Sequence, residues 1–169
     1  MFELLSPIFL LLLLLLASYI IWKINARKYI SSGTVASAYD AWTQDKLLER
    51  LWGEHIHLGF YPSGKKNIDF RKAKVKFVHE LVKWSGLDAL PKGSRILDIG
   101  CGIGGSSRIL AEYYGFNVTG ITISPAQVKR ARELTPRGLN CNFQVMDALD
   151  LKFEDGSFDA VWSLSLIHI

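Results

Sequence analysis

The sequence predicts an α/β fold, a Rossmann-like doubly wound parallel sheet preceded by a helical segment and an apolar N-terminal helix. Two observations carry this. The run Ser94 to Arg108 passes from a short apolar strand through Gly100, Gly102, Gly104 and Gly105 into a helix. After it, short apolar strands alternate with helices, the order of a parallel sheet that binds its ligand at the strand carboxyl ends. Glycines let the backbone approach a ligand closely, and the free N–H groups at a helix start favour an anionic group.

From Leu4 to Trp22 the chain is apolar and uncharged over 19 residues, dominated by Leu10 to Leu16. A helix of about 20 such residues spans a bilayer, and Pro7 is tolerable in its first turns. Glu3 is the sole charge ahead of it, so the basic leader of a cleaved signal is missing. Lys23, Arg27 and Lys28 follow the run, which by the positive-inside rule puts the remainder in the cytoplasm. Residues 1–28 are therefore expected to be a single-pass transmembrane anchor with a basic flank, in a plasma or thylakoid membrane.

Residues 29–90 are expected to form a helical extension or lid. Ser31 to Gly33 reads as a linker, and Tyr39, Trp42, Leu47, Leu48, Leu51 and Trp52 recur at helical spacing, as one amphipathic helix or a pair. Gly53 to Pro62 reads as loop. Asp69 is placed to cap a helix whose buried face is Phe70, Ala73, Phe77, Val78, Leu81 and Val82. Arg71, Lys72, Lys74, Lys76 and Lys83 fall mostly off that face, as a solvated surface or one that meets anionic lipid.

Residues 91–163 carry the sheet. Strands are expected at 95–99, 117–121, 142–146 and 158–162, with helices at 104–114 and 125–134, the second opened by Pro125 and broken by Pro136 and Gly138. The two cysteines, Cys101 and Cys141, give no disulfide framework and read as reduced thiols. A net charge of +4 comes without any nucleic-acid-binding motif, so no nucleic-acid partner is expected.

Gly100, Gly102 and Gly105 satisfy the GxGxxG spacing of a dinucleotide site, which calls for an acid about 20 residues on. Thr122 stands there instead. A nicotinamide-type nucleotide-binding module, noncatalytic or otherwise, remains the alternative.

The wider pattern Leu97-Asp-Ile-Gly-Cys-Gly-Ile-Gly104, with Asp147 after the third strand and Asp155 to Trp162 around the fourth, resembles class I S-adenosylmethionine (SAM) methyltransferases. Gly120-Ile-Thr-Ile-Ser-Pro-Ala-Gln127 resembles the branch that holds tocopherol methyltransferases and cyclopropane-type synthases. Tyr39-Asp-Ala-Trp-Thr43 and Trp52-Gly-Glu-His-Ile-His-Leu-Gly59 are similar to the 2-methyl-6-phytyl-1,4-benzoquinol methyltransferase family of cyanobacteria. The resemblance implies SAM as cofactor, held by Asp98, Gly100, Cys101, Gly102, Gly104, Thr122, Gln127, Asp147 and Ala148. Asp98 would receive the methionyl ammonium or merely anchor the loop, and Asp147 would accept a bond from the adenine amino group. Thr122 and Gln127 would stand in for the ribose-holding acid, or act as a cap and a helix-surface residue. The implied reaction is C-methylation of a lipid-soluble prenylated quinol, with a sterol or other lipid as the alternative acceptor. His55 and His57, near neutral in pKa by type, are candidate bases, with Tyr39 as a ring-positioning hydroxyl; the alternative is that the histidines only pack the lid.

The resemblance also implies a seven-stranded sheet, of which this sequence supplies the first four strands; without the half that builds the acceptor pocket, little activity is expected. Leu164-Ser-Leu-Ile-His-Ile169 departs from the family and matches the translation of a sequencing-adapter transposon end. Residues 164–169 are thus expected to be a non-native tail, and His168 no ligand.

Overall fold

A computed structural model describes residues 7–25, 33–63 and 68–164. Helix α1 (Pro7–Asn25) has 19 residues, and all side chains from Phe9 to Trp22 are exposed, Leu14 by 65%. Among the described residues no helix is long and apolar enough to cross a membrane. Helix α1 as a whole, at 1.5 Å per residue, would reach about 28 Å, just under the roughly 30 Å of hydrocarbon. The transmembrane expectation is therefore not supported here; its first residues, Arg27, Lys28 and most of the 164–169 tail lie outside the described residues.

The segment from Val35 to Trp52 is a helix pair, α2 (Gly33–Gln44) and α3 (Leu47–Trp52). Gly33 thus belongs to a helix rather than to the linker. Residues 53–62 are irregular, as expected. Helix α4 (Phe70–Ser85) starts where Asp69 accepts from the amides of Arg71 and Lys72, each at 3.0 Å. Its buried residues are Ala73, Lys74, Val78 and Val82. Two expectations are corrected: Phe70 is exposed, and Lys74 is buried because its ammonium finds carbonyl partners inside.

Strands β1 (Arg95–Ile99), β2 (Asn117–Thr122), β3 (Cys141–Val145) and β4 (Ala160–Ser163) form a parallel sheet in the order β3-β2-β1-β4. Helix α5 (Gly105–Tyr114) joins β1 to β2, and α6 (Pro125–Leu134) joins β2 to β3. Both connections step along the sheet in the same direction, so right-handed crossovers put both helices on one face. The packing agrees. Ile96 and Val118, partners in register, share a cluster with Val78 and Val82 of α4 and Ile109 and Leu110 of α5. Further along that face Phe143 meets Val128 and Ala131 of α6. On the opposite face Leu97 and Ile121 are buried, whereas Val161 on β4 is 62% exposed. The strand order reverses between β1 and β4, as in a doubly wound sheet.

This topology positions the site. Strand order reverses beside β1, and the carboxyl end of such a strand is where an open parallel sheet leaves a crevice.

Candidate functional site

The crevice is a cavity of about 290 Å³ at the carboxyl ends of β1 and β2, roofed by the segment from α2 to His57. From β1 and its loop it is lined by Asp98, Gly100, Cys101 and Gly102. Thr122 at the end of β2 and Gln127 in α6 line it, with Asp147 and Ala148 beyond β3. Tyr39, His55 and His57 line it from above. Residues as distant in sequence as Tyr39 and Ala148 are thus brought to one hollow.

Gly100 and Gly102 have φ of +71° and +55°, conformations that side chains resist. The amides of Gly100 and Cys101 both donate to the Ile121 carbonyl, at 2.9 and 3.0 Å, which staples the loop to β2. Gly104 does not line the cavity. A Cβ there would meet the Phe143 ring at 2.6 Å, so this glycine makes room for β3 behind the loop. Gly105 serves another neighbour, since a Cβ on it would come within 2.8 Å of the Glu54 carbonyl and the His55 ring.

Asp98 is almost fully buried and its carboxylate accepts from the Ser107 hydroxyl at 2.5 Å. Burial pushes its pKa up to about 7, with the Ser107 bond pulling the other way. No cation is paired with it among the described residues. A buried carboxylate facing a cavity without a counter-charge suits a cationic ligand group. The Thr122 hydroxyl donates to the Gln127 side-chain oxygen at 2.7 Å, both residues buried, which leaves the Gln127 amide nitrogen as a donor. Asp147 is oriented by the Leu149 amide, 2.9 Å from Oδ1. Burial raises the Cys101 thiol, and raises Cys141 to about 12, so neither is a thiolate near neutral pH.

The histidines form a pair. Nε2 of His57 lies 3.1 Å from Nδ1 of His55, and Nδ1 of His57 lies 2.8 Å from the Leu58 carbonyl. Burial, then the charges of His57, Arg108 and Lys74, lower His55 to about 4. Burial also lowers His57, with the Leu58 bond opposing. The near-neutral values expected from residue type do not hold in this roof.

The roof is fastened by contacts the sequence did not announce. Lys74 donates to the carbonyls of Trp52 and His55, at 3.0 and 2.7 Å. Arg108 pairs with Glu54 at 2.5 Å and donates to the Ile103 carbonyl. Asp40 of α2 accepts from the Ser124 hydroxyl at 2.5 Å and the Ala126 amide at 3.1 Å, at the start of α6. Glu49 of α3 pairs with Arg130 of α6 at 2.5 Å.

Residues 96–169 match the family described as a methyltransferase domain. The matched segment is a class I SAM-dependent methyltransferase domain. Over 144 residues it is 59% identical to the 2-methyl-6-phytyl-1,4-hydroquinone methyltransferase of Synechocystis sp., a match covering 85% of this chain and 45% of that protein. It is 41% identical over 128 residues to the chloroplastic tocopherol O-methyltransferase of Arabidopsis thaliana, covering 70% of this chain and 37% of that one. The chain therefore spans less than half the length of these curated relatives. Among solved structures, a putative sarcosine dimethylglycine methyltransferase from Galdieria sulphuraria superposes with a TM-score of 0.65 at 29% identity, over 74% of this chain and 48% of that one.

Within that methyltransferase fold, Val35, Glu54, Ile103, Ser106 and Met146 also line the cavity and were not singled out from the sequence. Ser106 was signalled, since it sits in the glycine-rich run itself. Val35 and Met146 carry no local mark of a site.

Proposed function

We propose that this protein methylates a prenylated quinol, with SAM as the methyl donor and a ring carbon as the acceptor. The observation that carries the reading is Asp98, a buried carboxylate without a counter-charge at the edge of a glycine-lined cavity. The acceptor class rests on the similarity to the Synechocystis hydroquinone methyltransferase, which extends through the roof segment.

In this reading Asp98 holds the methionyl ammonium. Gly100 and Gly102 let the backbone close on the amino-acid end, Thr122 and Gln127 meet the ribose, and Asp147 with Ala148 meets the adenine. Bound there, SAM supplies a methyl group already activated by its sulfonium. The methyl–sulfur bond breaks as the methyl–carbon bond forms, and the ring carbon gives up its proton to water or a nearby base. The protein's task is mostly to align the two reactants, which contributes up to about 7–11 kcal/mol in well-oriented systems. His55, His57 and Tyr39 stand on the side from which an acceptor ring would enter. With its pKa near 4, His55 is neutral in this roof, so its part is to accept a hydrogen bond rather than to store a proton.

A prenyl tail resides in lipid, and the exposed leucines of α1 suit a contact with the same bilayer. We place the domain on the cytoplasmic face of a plasma or thylakoid membrane, attached through α1.

Calorimetry against SAM and NAD, followed by transfer of labelled methyl from SAM to 2-methyl-6-phytyl-1,4-hydroquinone, tests the proposal. SAM binding is expected and, with the protein extended to the length of its relatives, label on the ring. Binding of NAD alone overturns the cofactor, and label on a sterol but not on the quinol overturns the acceptor.

A further inference from the structure

The two roof histidines differ in what the surrounding chain lets each nitrogen do. A carbonyl oxygen only accepts, so Nδ1 of His57, 2.8 Å from the Leu58 carbonyl, carries its proton. In a neutral ring the other nitrogen is then an acceptor, and Nε2 of His57 faces Nδ1 of His55 at 3.1 Å. His55 must therefore donate from Nδ1, which leaves the lone pair on Nε2. That nitrogen has no protein partner among the described residues. The chain of bonds runs from His55 to His57 to the Leu58 backbone and has one polarity only.

The rings are also held in place. They meet edge to face, with centroids 5.0 Å apart and planes at 67°. His57 is backed by Phe77 of α4 at 5.7 Å, and Cε1 and Nδ1 of His55 lie 2.8 and 2.9 Å from the point where a Cβ on Gly105 would stand. The charged groups around the pair are Lys74, which donates to the His55 carbonyl, and Arg108, which is paired with Glu54. Both cations oppose protonation of His55, which keeps the ring neutral and the polarity intact.

We propose that His57 is a positioning residue that locks His55 in the Nδ1–H tautomer, so that Nε2 of His55 accepts a hydrogen bond from a hydroxyl of the acceptor substrate. This rests on the methyl-transfer reading above. It divides the two histidines between one that meets the substrate and one that never does. It also gives the roof a specificity role: an acceptor needs a hydroxyl donor beside the carbon to be methylated, which a quinol has and its quinone or dimethyl ether lacks.

Nitrogen-15 long-range correlation spectra of histidine-labelled full chain, in detergent, read the tautomers directly. Both His55 and His57 should carry their proton on Nδ1 near neutral pH, against the Nε2–H form that free imidazole side chains favour. His57→Phe removes the acceptor, so His55 should shift toward Nε2–H and quinol turnover should fall about tenfold, the loss of one hydrogen bond. His57→Gln supplies an amide oxygen as acceptor in place of Nε2 and should restore both the tautomer and most of the turnover. A wild-type His55 protonated on Nε2, or one that keeps its Nδ1 proton in His57→Phe, overturns the relay while leaving methyl transfer standing. Two Nδ1–H rings in a chain that transfers no methyl group to the quinol, or that methylates the dimethyl ether equally well, overturn the substrate role.

Discussion

The Ser107 hydroxyl donates to the Asp98 carboxylate across 2.5 Å, joining the first turn of α5 to the end of β1 at the floor of the cavity. That single bond is less than a buried carboxylate needs, which is why burial dominates and lifts Asp98 to about 7. An arriving ammonium would supply the missing partner.

The first prediction follows from this shift. Below about pH 7 Asp98 is protonated in the free protein and must lose that proton to bind an ammonium. SAM affinity should therefore rise about tenfold per pH unit up to pH 7 and level off above it, until the ligand's own amino group deprotonates near 8. The stability linkage has the opposite slope. The folded pKa lies above the ordinary carboxylate value of 3.8, so the contribution of Asp98 to stability is greatest below 3.8 and declines as pH rises to about 7. Calorimetry in two buffers of different ionisation enthalpy should count about one released proton at pH 6 and a partial uptake at pH 8, where some of the ligand's amino groups must be protonated to bind. Asp98→Asn should abolish the release, weaken SAM binding and raise the apo melting temperature at pH 8.

Lys74 yields the second. Replacing it with Met keeps the volume of the stem but leaves the Trp52 and His55 carbonyls without their donor. The expected loss is about 1–3 kcal/mol, the cost of stranding buried acceptors. Urea unfolding should show it as a lower midpoint. Protease cleavage within residues 53–57 should rise further than the global loss explains, because the bond fastens the roof rather than the sheet.

How much of this was legible in sequence depends on whether the cause is local. The strand–glycine–helix turn at Gly100, the cap at Asp69 and the start of α6 at Pro125 are written in adjacent residues, and the structure has them where the sequence puts them. Lys74 shows a conflict between two local signals. Its spacing to Val78 and Val82 puts it on the buried face, its charge argues for solvent, and the fold follows the spacing because carbonyls 19 and 22 residues away receive the ammonium. Partners so far apart leave no period to read. Gly104 is illegible for a similar reason, since the residue that needs its space, Phe143, comes from β3. The pKa values of His55 and Asp98 come from burial, which only the assembled fold creates.

A third prediction separates the two uses of glycine in the loop. Gly105 is helical and has no positive φ, so an alanine there favours α5 by about 1 kcal/mol in isolation. Its Cβ, however, would lie 2.8 Å from the Glu54 backbone oxygen, which cannot give way without moving the roof. Gly105→Ala should leave the melting temperature nearly unchanged while the His55 and His57 resonances move and the 53–57 segment exchanges its amide hydrogens faster. Gly104→Ala should instead lower the melting temperature, because its φ of +80° and the Phe143 ring both resist a side chain.

The last prediction concerns α1. Every residue from Phe9 to Leu16 is apolar and exposed, so the helix shows no polar face along that half. A helix lying on a membrane buries one face, whereas one that inserts is surrounded by lipid. Charge placed on opposite faces distinguishes the two. Leu12→Asp with Leu16→Asp marks one face, and Leu10→Asp with Leu14→Asp marks a face roughly opposite, each aspartate costing about 2.5–3.5 kcal/mol at the centre of an inserted helix. In flotation with anionic liposomes the wild-type chain should rise with the lipid. If α1 inserts, both double variants should stay at the bottom of the gradient. If it lies at the interface, only one of them should, because the other pair faces water. Flotation of a chain lacking residues 1–28 to the same extent as wild type would show that attachment does not run through α1.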